Sequence, residues 1–301
     1  MAASVGVIPS LIVGLREGIE AALVIGIFLG YLSKIGRTDL KRHVYAGTVA
    51  AGLLSAVIAG ILFSLTIGFS GVGEQLFEGA AMLVAVAVIT SMVLWMIKAS
   101  RNIKAHVQQR IDAALGERRA LGLALLAFVV VLREGIETAL FVFGVGELTS
   151  PIEAVIGIGL GLLVAGIIGI GIVRVSWRLN LKQFFRVTGV FLVVIAAGLF
   201  AHAVHELQEA SGSGFGAAPL YDLSAVFPHD ASNPAGYLLR GIIGYNATPT
   251  VLEGAAYLAY WVVLVLVYLG IRSGKIAVVA DPLRRMWHGV LRRGRKPNVA
   301  P

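Results

Sequence analysis

Two stretches of this chain read almost alike: LREGIEAAL at residues 15–23 and LREGIETAL at residues 132–140. Each lies inside a long apolar run. If the first is helical, Arg16, Glu17 and Glu20 share one face, at spacings of three and four residues. Arg133, Glu134 and Glu137 repeat the arrangement. On insertion scales a charged group at the centre of a bilayer costs about 2.5–3.5 kcal/mol. Six such groups must therefore face one another, water or an ion. Arginine stays ionised, whereas a lone buried glutamate tends to protonate. With all four glutamates ionised, the two arginines leave two negative charges in surplus. A multivalent cation offsets that surplus and an anion worsens it. A salt-bridge knot that merely locks two helices is the competing explanation, and the second copy weakens it.

Further ligand candidates lie near the ends of other apolar runs. FEGAAM at residues 77–82 and LEGAAY at residues 252–257 place Glu78 and Glu253 alike. AHAVHELQE at residues 201–209 puts His202, His205, Glu206 and Glu209 on one helical face. That spacing suits metal capture; a wet helix end is the bland alternative. There is no cysteine and there are only five methionines, which disfavours a Cu(I) path against harder or borderline ions. Carboxylates with imidazole suit Mn, Fe, Mg or Ca, and composition does not choose among them. No G-x-x-x-x-G-K loop is present, so nucleotide hydrolysis is not the energy source.

The elements that must position these groups are membrane helices. The chain has 301 residues, 57% hydrophobic and 14% charged, with mean hydropathy +0.86. A soluble domain carries nearly twice that charged fraction. Seven stretches reach the roughly 20 residues that cross a hydrocarbon core: 8–33, 44–69, 76–97, 120–146, 152–173, 186–206 and 249–271. Of 25 lysines and arginines, 22 fall in residues 34–43, 98–119 and 174–186 and from 272 onward. The exceptions are Arg16, Arg133 and Arg240. The intervening loops carry acids instead, among them Glu74, Glu147, Glu153, Asp222 and Asp230. The positive-inside rule then places the N-terminus outside and the C-terminus in the cytoplasm. The net charge of +8 thus follows membrane orientation and not nucleic-acid binding.

Spans 1 and 4 cross in opposite directions, so spans 1–3 and 4–6 read as inverted repeats, a transporter architecture with its site at the repeat interface. The expected fold is an all-α, seven-helix polytopic protein: a 3+3 inverted repeat plus one C-terminal helix. Residues 8–97 form repeat one and 120–206 repeat two. An external loop (207–248) and a seventh helix (249–271) complete a permease domain over residues 1–271. AGYLLRGIIGY in that loop suggests a short interfacial or re-entrant helix. Residues 272–301 form a basic cytoplasmic tail suited to the anionic inner leaflet.

The doubled Arg-Glu-x-x-Glu (REXXE) element in spans 1 and 4 resembles that of the high-affinity iron permease family. This family comprises oxidase-coupled fungal permeases and bacterial EfeU-type permeases. The likeness to the bacterial branch covers nearly the whole chain, including AHAVHELQE and residues 221–250. It implies iron import across the inner (plasma) membrane, with Fe2+ or Fe3+ as cargo and no organic cofactor, and a transporter rather than an enzyme. It implies an essential ion-handling role for Glu17, Glu20, Glu134 and Glu137, supported by Arg16 and Arg133. It also implies separate partners, a periplasmic cupredoxin-like protein and a haem peroxidase or another oxidase. The rivals are a permease for another divalent cation such as Mn or Pb, a membrane-embedded metalloenzyme, and a purely structural or receptor role. The metalloenzyme is disfavoured because no histidine lies in the middle of a span, where di-iron sites of helix bundles carry them.

Overall fold

The computed structural model describes residues 6–99, 111, 119–175, 180–230 and 232–273. Most of the basic connection 98–119 and the tail beyond residue 273 lie outside the described residues, as do His106, Arg178 and His288. Among the described residues eight long or capped α-helices follow one another: α1 (Val7–Lys34), α2 (Lys41–Gly68), α3 (Val72–Ala99), α4 (Arg119–Leu148), α5 (Pro151–Val175), α6 (Leu181–Ser211), α7 (Pro234–Ile243) and α8 (Val251–Arg272). Among the described residues there is no strand, only an antiparallel bridge between Pro219 and Thr250. The described residues up to Tyr260 form one compact unit, and the described residues from Trp261 to Ser273 belong to a second.

Seven helices have 22 residues or more, and each expected span falls on one of them. Among the described residues, five are long and apolar enough to cross a membrane: Thr38–Leu65, Val72–Leu94, Pro151–Gly171, Gln183–Ser211 and Val251–Arg272. The other two, α1 and α4, are as long but carry the motif charges. Local chemistry sets the boundaries. The α1–α2 corner turns at Gly36, whose φ of 74° lies in the left-handed region. Helix α6 overruns the expected span 186–206 because its polar last turns stay helical as far as a left-handed cap at Gly212. The short helix expected in residues 207–248 is α7, with the Asn233 side chain accepting from the Ala235 N–H, Pro234 at its start and Gly244 at its end.

The packing is inverted relative to a soluble protein. Arg16 is among the largest fully buried side chains, while Val49, Leu53, Val57 and Ile61 of α2 and Leu163, Ile167 and Ile170 of α5 are exposed. A contiguous apolar exterior of that kind belongs in lipid. The most extensive contacts pair α1 with α5, α2 with α4, and α3 with α6; α1 and α4 meet as well. Small residues let the backbones close in. A methyl group on Gly47 of α2 would collide with the Ala124 carbonyl of α4 and lie 3.1 Å from the Phe128 nitrogen. One on Gly157 of α5 would collide with the Val7 carbonyl of α1 and lie 3.0 Å from the Leu11 nitrogen. On the motifs themselves, Gly18 faces Ala165 of α5, and Gly135 faces Ser55 of α2.

Candidate functional site

Helices α1 and α4 bring the two motifs together. Arg16 and Glu17 are 0% and 1% exposed, and Glu134 and Glu137 are equally withdrawn from solvent at 7% each. One carboxylate oxygen from each of Glu17, Glu134 and Glu137 lies within 4.8 Å of the others, close enough for the three to share a cation. Glu20 stands beside this trio. Its Oε1 is 2.9 Å from Arg16 Nη2, and it lies within electrostatic reach of Glu137 and Arg133. The second oxygens of Glu17, Glu134 and Glu137 are buried with no hydrogen-bond partner. Buried carboxylate oxygens are normally satisfied. Three orphans at one place are what a cation-holding site leaves when described by its protein atoms alone.

The two arginines are placed differently. Arg16 is ion-paired with Glu17 and Glu20, and it also donates to the thioether sulfurs of Met92 (3.1 Å) and Met96 (2.6 Å) on α3. Arg133 donates from Nε to Glu137 at 2.8 Å and lies 3.9 Å from Glu134; its side chain is 26% exposed. Positive charge thus sits between the carboxylates in both motifs and reduces their mutual repulsion.

A second acidic region lies at the end of the bundle where α1 begins. Its members include every other ligand candidate. His202 faces Glu206, and His205 faces both Glu209 and Glu253 of α8. Glu78 of α3 is half-buried and within electrostatic reach of Glu206 and Glu74. Glu147, at the end of α4, feels Glu78, Glu206 and Glu74. Helix α7 lies at the same end. Gly244 packs on Gly198 of α6, Gly241 on Pro9 and Thr149, and Tyr237 donates to Glu153 at 2.7 Å. Burial and that hydrogen bond hold the Tyr237 phenol above its usual range.

Sequence reasoning missed Glu147, Met92 and Met96 as parts of these sites. Glu147 carried a signal: it is an acid ten residues beyond Glu137, on a helix ending at the same face as Glu78. The methionines carried none, since methionine is ordinary in an apolar span.

The model of the Iron permease FTR1 family matches residues 7–280. The chain belongs to the FTR1 iron permease family. It is 36% identical over 269 residues to the ferrous iron permease EfeU of Yersinia pestis, covering 88% of this chain and 94% of that one. To the ferrous iron permease EfeU of Escherichia coli O6:H1 it is 35% identical over 274 residues, with 90% and 98% covered. An uncharacterized protein of Archaeoglobus fulgidus is 35% identical over 285 residues, with 94% and 96% covered. No solved structure matches. This FTR1 permease is therefore a multi-pass transporter and not an enzyme, with iron as its cargo.

Proposed function

We propose that this permease imports iron across the inner membrane through a mid-membrane site made by its two REXXE motifs. The convergence of Glu17, Glu134 and Glu137 carries this proposal, with Glu20 as the fourth carboxylate and Arg16 and Arg133 as fixed countercharges. The ferrous ion is the favoured cargo, in keeping with the names of the EfeU relatives. The placement of 22 basic residues on one side orients the N-terminus outward and the C-terminus to the cytoplasm. On that orientation the His202–Glu253 end of the bundle opens to the periplasm. A periplasmic cupredoxin-like protein and a haem peroxidase or other oxidase are the partners that deliver iron there.

Seven membrane-crossing helices, six of them in two inverted three-helix repeats, account for the packing. Exchanging the two units converts the α1–α5 pair into the α4–α2 pair and leaves α3–α6 and α1–α4 as self-paired contacts. The close approaches obey the same exchange. Val7 and Ala124, Leu11 and Phe128, and Gly18 and Gly135 are each 117 residues apart, as the motifs are. Their partners Gly47 and Gly157, and Ser55 and Ala165, are each 110 apart. Radioactive iron uptake by purified protein in vesicles, with ferrous and ferric ions supplied separately, tests the function. Glu20→Gln and Glu137→Gln are expected to abolish ferrous uptake; undiminished uptake by either variant would overturn the role of the motifs.

A further inference from the structure

Iron handling by the two motifs calls for carboxylates and countercharge, but it does not call for sulfur. Met92 and Met96 of α3 nevertheless meet Arg16, which is 0% exposed. Its Nη1 donates to the Met92 sulfur at 3.1 Å and its Nη2 to the Met96 sulfur at 2.6 Å. The same two nitrogens are ion-paired with Glu17 and Glu20 on α1. A guanidinium carries only donors, and buried donors are rarely left unpaired. Thioether sulfur is a weak, neutral acceptor, so it occupies these N–H groups without adding negative charge. A carboxylate in its place would draw Arg16 off Glu17 and Glu20. An aliphatic side chain would leave the N–H groups in search of another acceptor. Such acceptors are close by. Arg16 lies within electrostatic reach of Glu137 and Glu134, and the second oxygens of Glu17, Glu134 and Glu137 make no hydrogen bond. A guanidinium turned toward them would stand where the three carboxylates could share a cation.

The second half of the chain supplies an internal comparison. Gly79 of α3 approaches Ala203 of α6, and Gly189 of α6 approaches Val93 of α3, so these helices correspond at a spacing of 110 residues. At that spacing Met92 and Met96 answer to His202 and Glu206. Those two face each other at 3.7 Å. Arg133, the counterpart of Arg16, donates to Glu137 of its own helix at 2.8 Å and is 26% exposed. Where the neighbouring helix offers thioethers, the motif arginine is sealed against it. Where that helix offers an imidazole and a carboxylate already facing each other, the arginine stays partly exposed. The residue types at these two positions thus vary with the placement of the arginine.

We propose that Met92 and Met96 are positioning residues: they hold the Arg16 guanidinium against α3, out of the place a cation takes among Glu17, Glu134 and Glu137. This rests on the motif carboxylates being the iron site. Leucine matches methionine in volume but lacks the acceptor, whereas glutamine has similar length and keeps a neutral one. The test is anaerobic Fe2+ binding to the purified full-length protein in detergent. Met92→Leu/Met96→Leu is expected to weaken Fe2+ binding by about fivefold or more, and Met92→Gln/Met96→Gln to stay within about twofold of the unaltered protein. In an Arg16→Met background the leucine pair is expected to have no further effect, a result that loss of packing alone would not give. If Arg16→Met does not fold, the leucine and glutamine pairs decide by themselves. Unweakened binding by the leucine pair, equal weakening by leucine and glutamine, or full additivity with Arg16→Met overturns the positioning role. A Glu17→Gln/Glu134→Gln/Glu137→Gln protein keeps the two readings apart. If it loses Fe2+ while the leucine pair binds normally, only the role of the methionines fails. If it binds Fe2+ undiminished, the motif site fails and the positioning role falls with it.

Discussion

Arg16 and Arg133 hold the same place in nearly identical motifs, and the fold treats them differently. Arg16 is sealed from solvent and spread over two carboxylates and two thioethers. Arg133 is a quarter exposed and concentrated on Glu137. The first acids show no such split, since Glu17 and Glu134 are both buried and share one cluster with Glu137, although Glu20, the counterpart of Glu137, stays beside it against Arg16. The duplicated motif thus keeps Glu17 and Glu134 equivalent and lets its bases diverge. That is expected if the acids bind the cargo and the bases only balance charge, each against its own surroundings.

The sharpest way to break this comparison is to neutralise one acid from each copy. Glu17→Gln and Glu134→Gln should each reduce ferrous uptake to the level of protein-free vesicles. If one copy tolerates the change, the acids are not equivalent. The arginines should separate next. Arg16→Ala strips a fully buried countercharge and should cost about 3–5 kcal/mol of unfolding free energy. Arg133→Ala, at a partly exposed pair, should cost about 1 kcal/mol or less. Unfolding in mixed micelles measures both, and equal losses would erase the distinction between the two bases.

Packing probes whether the halves are equivalent away from the charges. Gly47→Leu and Gly157→Leu meet matching backbone obstacles, and each should destabilise by about 1–3 kcal/mol. Gly52→Leu and Gly159→Leu point into open space and serve as controls. A large difference between Gly47→Leu and Gly157→Leu would argue against two equivalent units.

The smallest effect belongs to a segment with no counterpart in the first half. His229, in the α6–α7 connection, accepts a hydrogen bond from the Ala247 N–H at 3.0 Å through Nδ1. Burial, aided by Arg240, lowers its pKa below the usual histidine value, against the opposing influence of Asp230. Because the folded pKa is depressed, the stabilisation is complete above the unfolded value of about 6.5 and fades as pH falls through the folded one. The protection of the Ala247 amide, its intrinsic exchange rate divided by the observed one, should therefore fall on acidification below about pH 6.5. A His229→Gln variant should lose that dependence. Identical pH profiles for the two proteins would remove His229 as the cause.

Much of the architecture was legible because hydropathy and charge are local properties. A run of apolar residues announces a helix whatever it packs against, and all seven long helices were visible in that way. The capped helix α7 was foreshadowed by AGYLLRGIIGY for the same reason. Side-chain neighbours were less legible. His202, His205, Glu206 and Glu209 were recognisable as one helical face, but the bridge from His205 to Glu253 joins residues 48 positions apart. Glu147 was visible only as a loop acid until α3 and α6 stood beside it.

The amino-acid order alone determined that six ionisable groups lie inside long apolar runs and that they come as two matched triads. Helical geometry puts each triad on one face, and the cost of charge in an apolar surrounding turns that face toward countercharges. Only the tertiary structure decided which of those groups meet. It drew Glu17, Glu134 and Glu137 into one cluster, set Glu20 against Arg16, and turned Arg16 toward Met92 and Met96. Those choices depend on how closely α1, α3, α4 and α5 can approach one another. That distance is set by small residues on facing helices far apart in the chain, so no single stretch of sequence contains it.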